Sequence, residues 1–174
     1  MIVAVVGPSG AGKDTLLSAL AAAYPELVLV RRVITRPTEA GGEDFEGVTP
    51  TEFAARKSQG DFVLDWQAHG LCYGIEAAQI DLAKAVVFNG SRGALLRARA
   101  VFPDIRVIVV TAPAEVLAER LAARGRESCA EITARLERSG YALPEGIAAQ
   151  TVVNDGTVAQ GVAALWALLQ PRKR

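Results

Sequence analysis

Five consecutive apolar residues, Ile2–Val6, run directly into GPSGAGKDT, Gly7–Thr15. The apolar run reads as a parallel strand buried on both faces. The stretch after it is almost the phosphate-loop pattern G-x-x-x-x-G-K-[ST]. In that pattern glycines let successive backbone N–H groups point inward around phosphate oxygens. The lysine reaches the β- and γ-phosphates, and the next helix adds its positive N-terminal end. Gly7, Gly12 and Lys13 fit. Composition alone would produce such a match in about one chain of this length in twenty, and its position between a strand and a helix removes most of those accidents. Position 14 departs from the pattern. It holds Asp14, and the hydroxyl arrives one residue late at Thr15. A carboxylate is an oxygen ligand that suits magnesium, directly or through water. It also suits the first turn of a helix as a simple dipole partner. Phosphate contacts are expected over Gly7, Pro8, Ser9, Gly10, Ala11, Gly12, Lys13, Asp14 and Thr15, with Thr15 a weaker second metal candidate.

The rest of the chain repeats the strand–helix alternation. Lys13–Ala23 predicts a helix with Leu16, Leu17 and Leu20 on one face. Strands are predicted at 27–35 (LVLVRRVIT), 85–88 (AVVF), 106–112 (RVIVVTA) and 151–153 (TVV). Pro113 suits the first turn of a helix running to about Arg124, with Gly125 as its stop. Thr49-x-x-Glu52, with Pro50 at the first helical position, and Ser128-x-x-Glu131 are capping boxes. Residues 157–169 form a closing helix with Val158, Val162, Leu165 and Leu169 on one stripe, ended by Pro171. The pattern predicts an α/β fold with a central parallel sheet. One segment, from Arg36 to about Asp81, interrupts the alternation, with short strand candidates at DFVLDW and GLCYGI. A long insertion of this kind is commonly functional.

With 174 residues the chain predicts one domain, and 51% apolar residues supply a core. Nineteen basic and nineteen acidic residues cancel, so no charge bias points to nucleic acid. No apolar run approaches the roughly 20 residues that span a bilayer, and no leader segment is expected. Cys72 and Cys129 stand far apart, without metal spacing or a disulfide framework. This usage fits a reducing cytoplasm. The oligomeric state is not legible.

Taken together, GPSGAGKDT, VITR with the downstream AGGE, GLCYG, NGSR, RGRE, EITARL and NDG resemble the guanylate kinase branch of the P-loop nucleoside monophosphate kinases. The resemblance spans essentially the whole chain in motif order. Within that branch it is most similar to the ribose 1,5-bisphosphate phosphokinases of phosphonate utilisation, which also have Asp after the P-loop lysine where guanylate kinases have Ser or Thr. That family phosphorylates ribose 1,5-bisphosphate with ATP to give 5-phosphoribosyl 1-diphosphate (PRPP). The resemblance implies a guanylate-kinase-like three-layer fold with a core at 1–35 and 82–174, an acceptor-binding insertion at about 36–81 and a lid at about 124–135. It implies ATP and magnesium, a catalytic Lys13, lid arginines Arg124 and Arg135 over the transferring phosphoryl group, and Asn154 near the adenine. It also assigns Arg36, Tyr73 and Asp65 to the acceptor.

The acceptor residues depart from a guanine site. Arg36 and Tyr73 match, but Glu39 stands where a second phosphate-gripping arginine is usual, and Phe45 replaces a tyrosine. Guanine presents N–H donors and wants carboxylates. Asp65 matches one such position, but Asn89, Ser91 and Arg92 replace the others. Arg92 would bind a phosphate well, and a sugar bisphosphate carries about twice the phosphate charge of GMP. The alternative for Arg92 is a solvated place in a first helical turn, where a cation opposes the dipole. Arg120 leans weakly toward phosphate. His69, the only histidine, reads as a loop residue, because an ionised phosphate nucleophile needs no base. Two other readings stay open: a guanylate or other nucleoside monophosphate kinase, and an inactive guanylate-kinase-like interaction domain.

Overall fold

The computed structural model describes residues 1–38, 43–123 and 142–170. Glu39, the lid segment with Arg124, Gly125 and Arg135, the Ser128–Glu131 capping box and Cys129 lie outside them.

Five parallel strands form the main sheet: β1 (Ile2–Val6), β2 (Val28–Leu29), β7 (Val86–Asn89), β8 (Arg106–Thr111) and β9 (Gln150–Val153), in the order β2-β7-β1-β8-β9. β1 is central, which explains its unbroken apolar run. Successive side chains of a strand point to opposite faces, and here both faces are covered. Val3 and Val5 pack with Leu16, Leu17 and Leu20 of α1 (Lys13–Ala23) and Val162, Leu165 and Leu169 of α5 (Val158–Leu169). Tyr24 and Trp166 stack beside that layer with ring centroids 3.6 Å apart. Ile2, Ala4 and Val6 face the opposite layer, with Leu95 and Ala98 of α3 (Leu95–Val101) and Leu64, Trp66 and Ile75 of a second sheet. Each large side chain buried in these layers stabilises the fold by roughly 1.5–3 kcal/mol.

The second sheet holds β3 (Arg32–Ile34), β4 (Phe45–Gly47), β5 (Phe62–Ala68) and β6 (Leu71–Glu76), in the order β4-β3-β6-β5, with α2 (Pro50–Gln59) between β4 and β5. The single strand predicted over 27–35 is therefore two strands in two sheets. Val30 still donates to the Val87 carbonyl of the main sheet at 2.9 Å, while Val33 pairs with Gly74 of the second. The chain changes sheets at Val30–Arg31, a few residues before 36. The Arg31 amide bonds the Gln79 side chain at 2.8 Å. Thr49 and Glu52 make the expected reciprocal capping box at the start of α2, with Pro50 in its first turn. Between β5 and β6 the turn is His69-Gly70, with φ of 52° and 74°. Positive φ at both central residues suits the right-handed twist of a hairpin. α4 (Ala114–Ala122) follows β8 and Pro113 as predicted.

Candidate active site

In parallel sheets ligands sit beyond the carboxyl ends of the strands, where the strand order reverses. Here the carboxyl ends of β1, β7 and β8 lie side by side, and a cleft of about 840 Å³ opens over them. Gly7, Pro8, Ser9, Lys13 and Asp14 of the phosphate loop form one wall. Asn89 ends β7 and Gly90, Ser91, Arg92 and Gly93 follow it, Thr111 ends β8 with Ala112 after it, and Arg32, Trp66 and Tyr73 come from the second sheet with His69 from its hairpin turn.

The loop has the shape its glycines predict. Gly12 has φ of 83° and is the N-cap of α1. A Cβ there would lie 2.5 Å from the Asn154 amide nitrogen, and one on Gly7 would lie 1.9 Å from the Val110 carbonyl. Neither position tolerates a side chain. Lys13 Nζ donates to the Gly7 and Pro8 carbonyls at 2.9 and 3.0 Å, which folds it over the loop. Thr15 is exposed and outside the cleft lining, whereas Asp14 faces in. Asn89, at the end of β7 where P-loop enzymes often carry a second acid, donates its side-chain amide to Asp14 Oδ1. The two oddities of the sequence, Asp at 14 and Asn at 89, are thus one contact.

Asn154 is 7% exposed and sits behind the loop. Its amide donates to the Ala11 carbonyl at 2.8 Å, and its own carbonyl accepts from Arg120 Nη2 at 3.1 Å. Arg120 Nη1 also approaches the Gly10 carbonyl at 3.4 Å. Both residues therefore brace the back of the loop, and neither lines the cleft.

The acceptor candidates separate. Tyr73 and Arg92 line the cleft. Burial pushes the Tyr73 hydroxyl above its ordinary range, opposed by the nearby charges of Arg32 and Arg36. Arg36 lies outside the lining, with its guanidinium 4.2 Å from the centroid of the Phe45 ring. Asp65 lies in a separate cavity of about 420 Å³, bonded to Lys57 Nζ and Arg97 Nη2, each at 2.6 Å. Two residues that sequence reasoning missed are prominent. In the sequence Asn89 shows only as a missing acid. Arg32 reads as part of a strand, and a charged pair within an apolar run is its only signal.

A family model described as an AAA domain matches residues 3–138. The ribose 1,5-bisphosphate phosphokinase of Ruegeria sp. strain TM1040 is 49% identical over 176 residues, covering 99% of this chain and 93% of that protein. The chain belongs to the ribose 1,5-bisphosphate phosphokinase family. The family member of Rhizobium etli CIAT 652 is 46% identical, over 97% of this chain and 89% of its own length. A bifunctional ribose 1,5-bisphosphokinase-thymidine phosphorylase of Cupriavidus pinatubonensis is also 46% identical, but the match takes in 27% of that protein. Among solved structures, the guanylate kinase of Anaplasma phagocytophilum aligns over 97% of this chain and 84% of its own with a TM-score of 0.69 at 17% identity. The fold of this phosphokinase family member is thus the guanylate-kinase fold, and its loop is a nucleotide-binding P-loop. No described helix is long and apolar enough to cross a membrane.

Proposed function

We propose that the protein transfers the γ-phosphoryl group of ATP to ribose 1,5-bisphosphate, giving PRPP and ADP. One observation carries this reading: the cleft joins the P-loop to an acceptor wall, and its charged lining among the described residues is Lys13, Arg32 and Arg92 against the single carboxylate Asp14. A strongly anionic acceptor suits that balance. A guanine base does not, because Asp65 already serves Lys57 and Arg97 away from the cleft. The identity with the Ruegeria phosphokinase over nearly the whole of both chains supports the same acceptor.

In the reaction an oxygen of the 1-phosphate attacks the γ-phosphorus, a P–O–P link forms, and the bond to ADP breaks. The attacking oxygen is already ionised, so positioning and charge neutralisation supply the catalysis. The loop amides hold the donor phosphates, and Lys13 swings from the Gly7 and Pro8 carbonyls to the β- and γ-oxygens. Arg92 and Tyr73 hold the acceptor. Arg124 and Arg135, outside the described residues, are assigned to the closing lid by the family resemblance. His69 shapes the hairpin and transfers no proton.

Magnesium fits the donor set. No group of three acidic, histidine or cysteine side chains gathers among the described residues, and magnesium on a nucleotide commonly takes one or two protein carboxylates plus phosphates and waters. When bound it would neutralise charge between the β- and γ-phosphates. Asp14 would hold it, directly or through water, with Asn89 fixing the carboxylate. Asp14→Ser is expected to raise the magnesium concentration needed for half-maximal nucleotide binding, read by fluorescence titration. An unchanged requirement removes Asp14 from the metal site. A reducing cytoplasm suits the half-buried free thiol of Cys72.

Phosphorus NMR tests the function directly. Protein, magnesium-ATP and ribose 1,5-bisphosphate should give a new diphosphate signal, and GMP in its place should not. Turnover of GMP alone would sink the proposal.

A further inference from the structure

Arg32 is a buried cation in the wall of a ligand cleft. It is 7% exposed, opens β3 and sits where the chain passes from one sheet to the other. Its Nη1 donates to the Asn89 carbonyl at 2.9 Å, its Nε to Glu43 Oε2 at 3.1 Å, and its Nη2 to the same oxygen. The guanidinium lies 5.3 Å from the centroid of the Tyr73 ring. A guanidinium has five N–H donors, and among the described residues these three bonds engage three of them, on a residue that lines the cleft.

A purely structural role explains this poorly. Burying an arginine costs several kcal/mol, and apolar residues of similar volume often replace a buried ion pair without loss. Joining two sheets does not by itself require a charge. Glu43 supplies one counter-charge, at one edge of the guanidinium. A planar guanidinium in the wall of a ligand cleft is, by contrast, a group suited to recognising phosphate. Asn89 ties the group further into the machinery. Its carbonyl holds Arg32 and its amide holds Asp14, so Arg32 stands two hydrogen-bonded steps from the P-loop.

We propose that Arg32 is an acceptor-binding residue that grips a phosphate of the acceptor, with Glu43 as the internal anion that holds it when the acceptor is absent. The inference deepens the phosphokinase reading and rests on it for the identity of the sugar. The phosphate competes with Glu43 for the charge. A phosphomonoester, carrying roughly −1.5 to −2 at neutral pH, is the stronger partner. Tyr73, stacked on Trp66 with ring centroids 5.4 Å apart, forms the apolar side of the same grip.

The test is calorimetric binding of ribose 1,5-bisphosphate and, separately, GMP to the wild type, Arg32→Met and Glu43→Gln, together with binding of an ATP analogue. In Arg32→Met the acceptor should bind about ten- to a hundredfold more weakly, while the ATP analogue binds within about twofold of wild type. Unchanged acceptor affinity in the folded variant overturns the inference. Where Arg32→Met does not fold, Glu43→Gln decides. It keeps the guanidinium and its bond to Asn89 and removes the competing anion, so the acceptor should bind severalfold more tightly. Equal or weaker binding overturns the inference. A wild type that binds GMP and not the sugar overturns the phosphokinase reading, and Arg32 is then judged on GMP by the same ratio. A wild type that binds neither overturns both.

Discussion

The two sheets solve different problems with different materials. The five-stranded sheet presents backbone: its central strand is apolar on both faces, and the loop that follows that strand offers amides and one lysine. The four-stranded sheet presents charge. Arg32 pairs with Glu43, Arg56 with Glu46 and Glu76, and Lys57 and Arg97 with Asp65. Backbone recognition of phosphate depends on glycine and chain path and leaves little to vary. Side-chain recognition can be retuned by a single substitution. In this chain the donor end therefore rests on chain path and glycines, and the acceptor end on paired side chains.

Three substitutions probe that contrast. The largest effect is expected in the loop that follows the central strand of the first sheet. Lys13→Ala should lower kcat by about a hundred- to a thousandfold or more with any acceptor, with an unchanged melting curve, measured by coupled ADP release. A loss confined to one acceptor would break the division between the sheets. A smaller effect is expected from Asp65→Asn. Its partners Lys57 and Arg97 are each about half exposed, so the pairs are screened and Tm should fall by about 2–5 °C. The acceptor KM should stay within about twofold. A large rise in KM would return Asp65 to the acceptor site. The smallest effect is expected from Thr49→Ala, which removes the cap of α2 and should lower Tm by about 2–4 °C. Thr49 holds the exposed Glu52 carboxyl below the usual carboxylate range, through its backbone N–H and then its hydroxyl. A depressed folded pKa gives stability that is present above the unfolded value and lost as pH falls through the folded one. The difference between variant and wild type should therefore shrink in acid, read by melts across that range.

The main sheet was legible because its signals are local. An apolar run with a glycine loop behind it, or a proline after a strand, needs no distant partner to be read. Ile2–Val6 and Lys13–Ala23 have the bounds the pattern predicts. The break within 27–35 was illegible, because the residues on each side are equally strand-like and only pairing with Val87 on one hand and Gly74 on the other separates them. Tyr73, named through resemblance, and Arg92, named through charge, line the cleft. Arg32 was missed because its meaning lies in Glu43 and Asn89, 11 and 57 residues away. Asn154, expected by resemblance near the adenine, has a further partner that its motif does not show: its side-chain amide donates to the Ala11 carbonyl.

That brace also bears on the order in which the molecule becomes whole. The loop lies near the start of the chain, yet its Ala11 carbonyl is held by a residue 143 positions later. That residue reaches its place only when β9 has paired with β8, its amide bonding Thr111 at 2.7 Å. A ribosome releases residues 1–23 long before it releases Asn154. The nascent chain therefore carries the P-loop sequence throughout the synthesis of the residues between Thr15 and Asn154 with this support still missing, and the nucleotide cradle is finished only when β9 arrives.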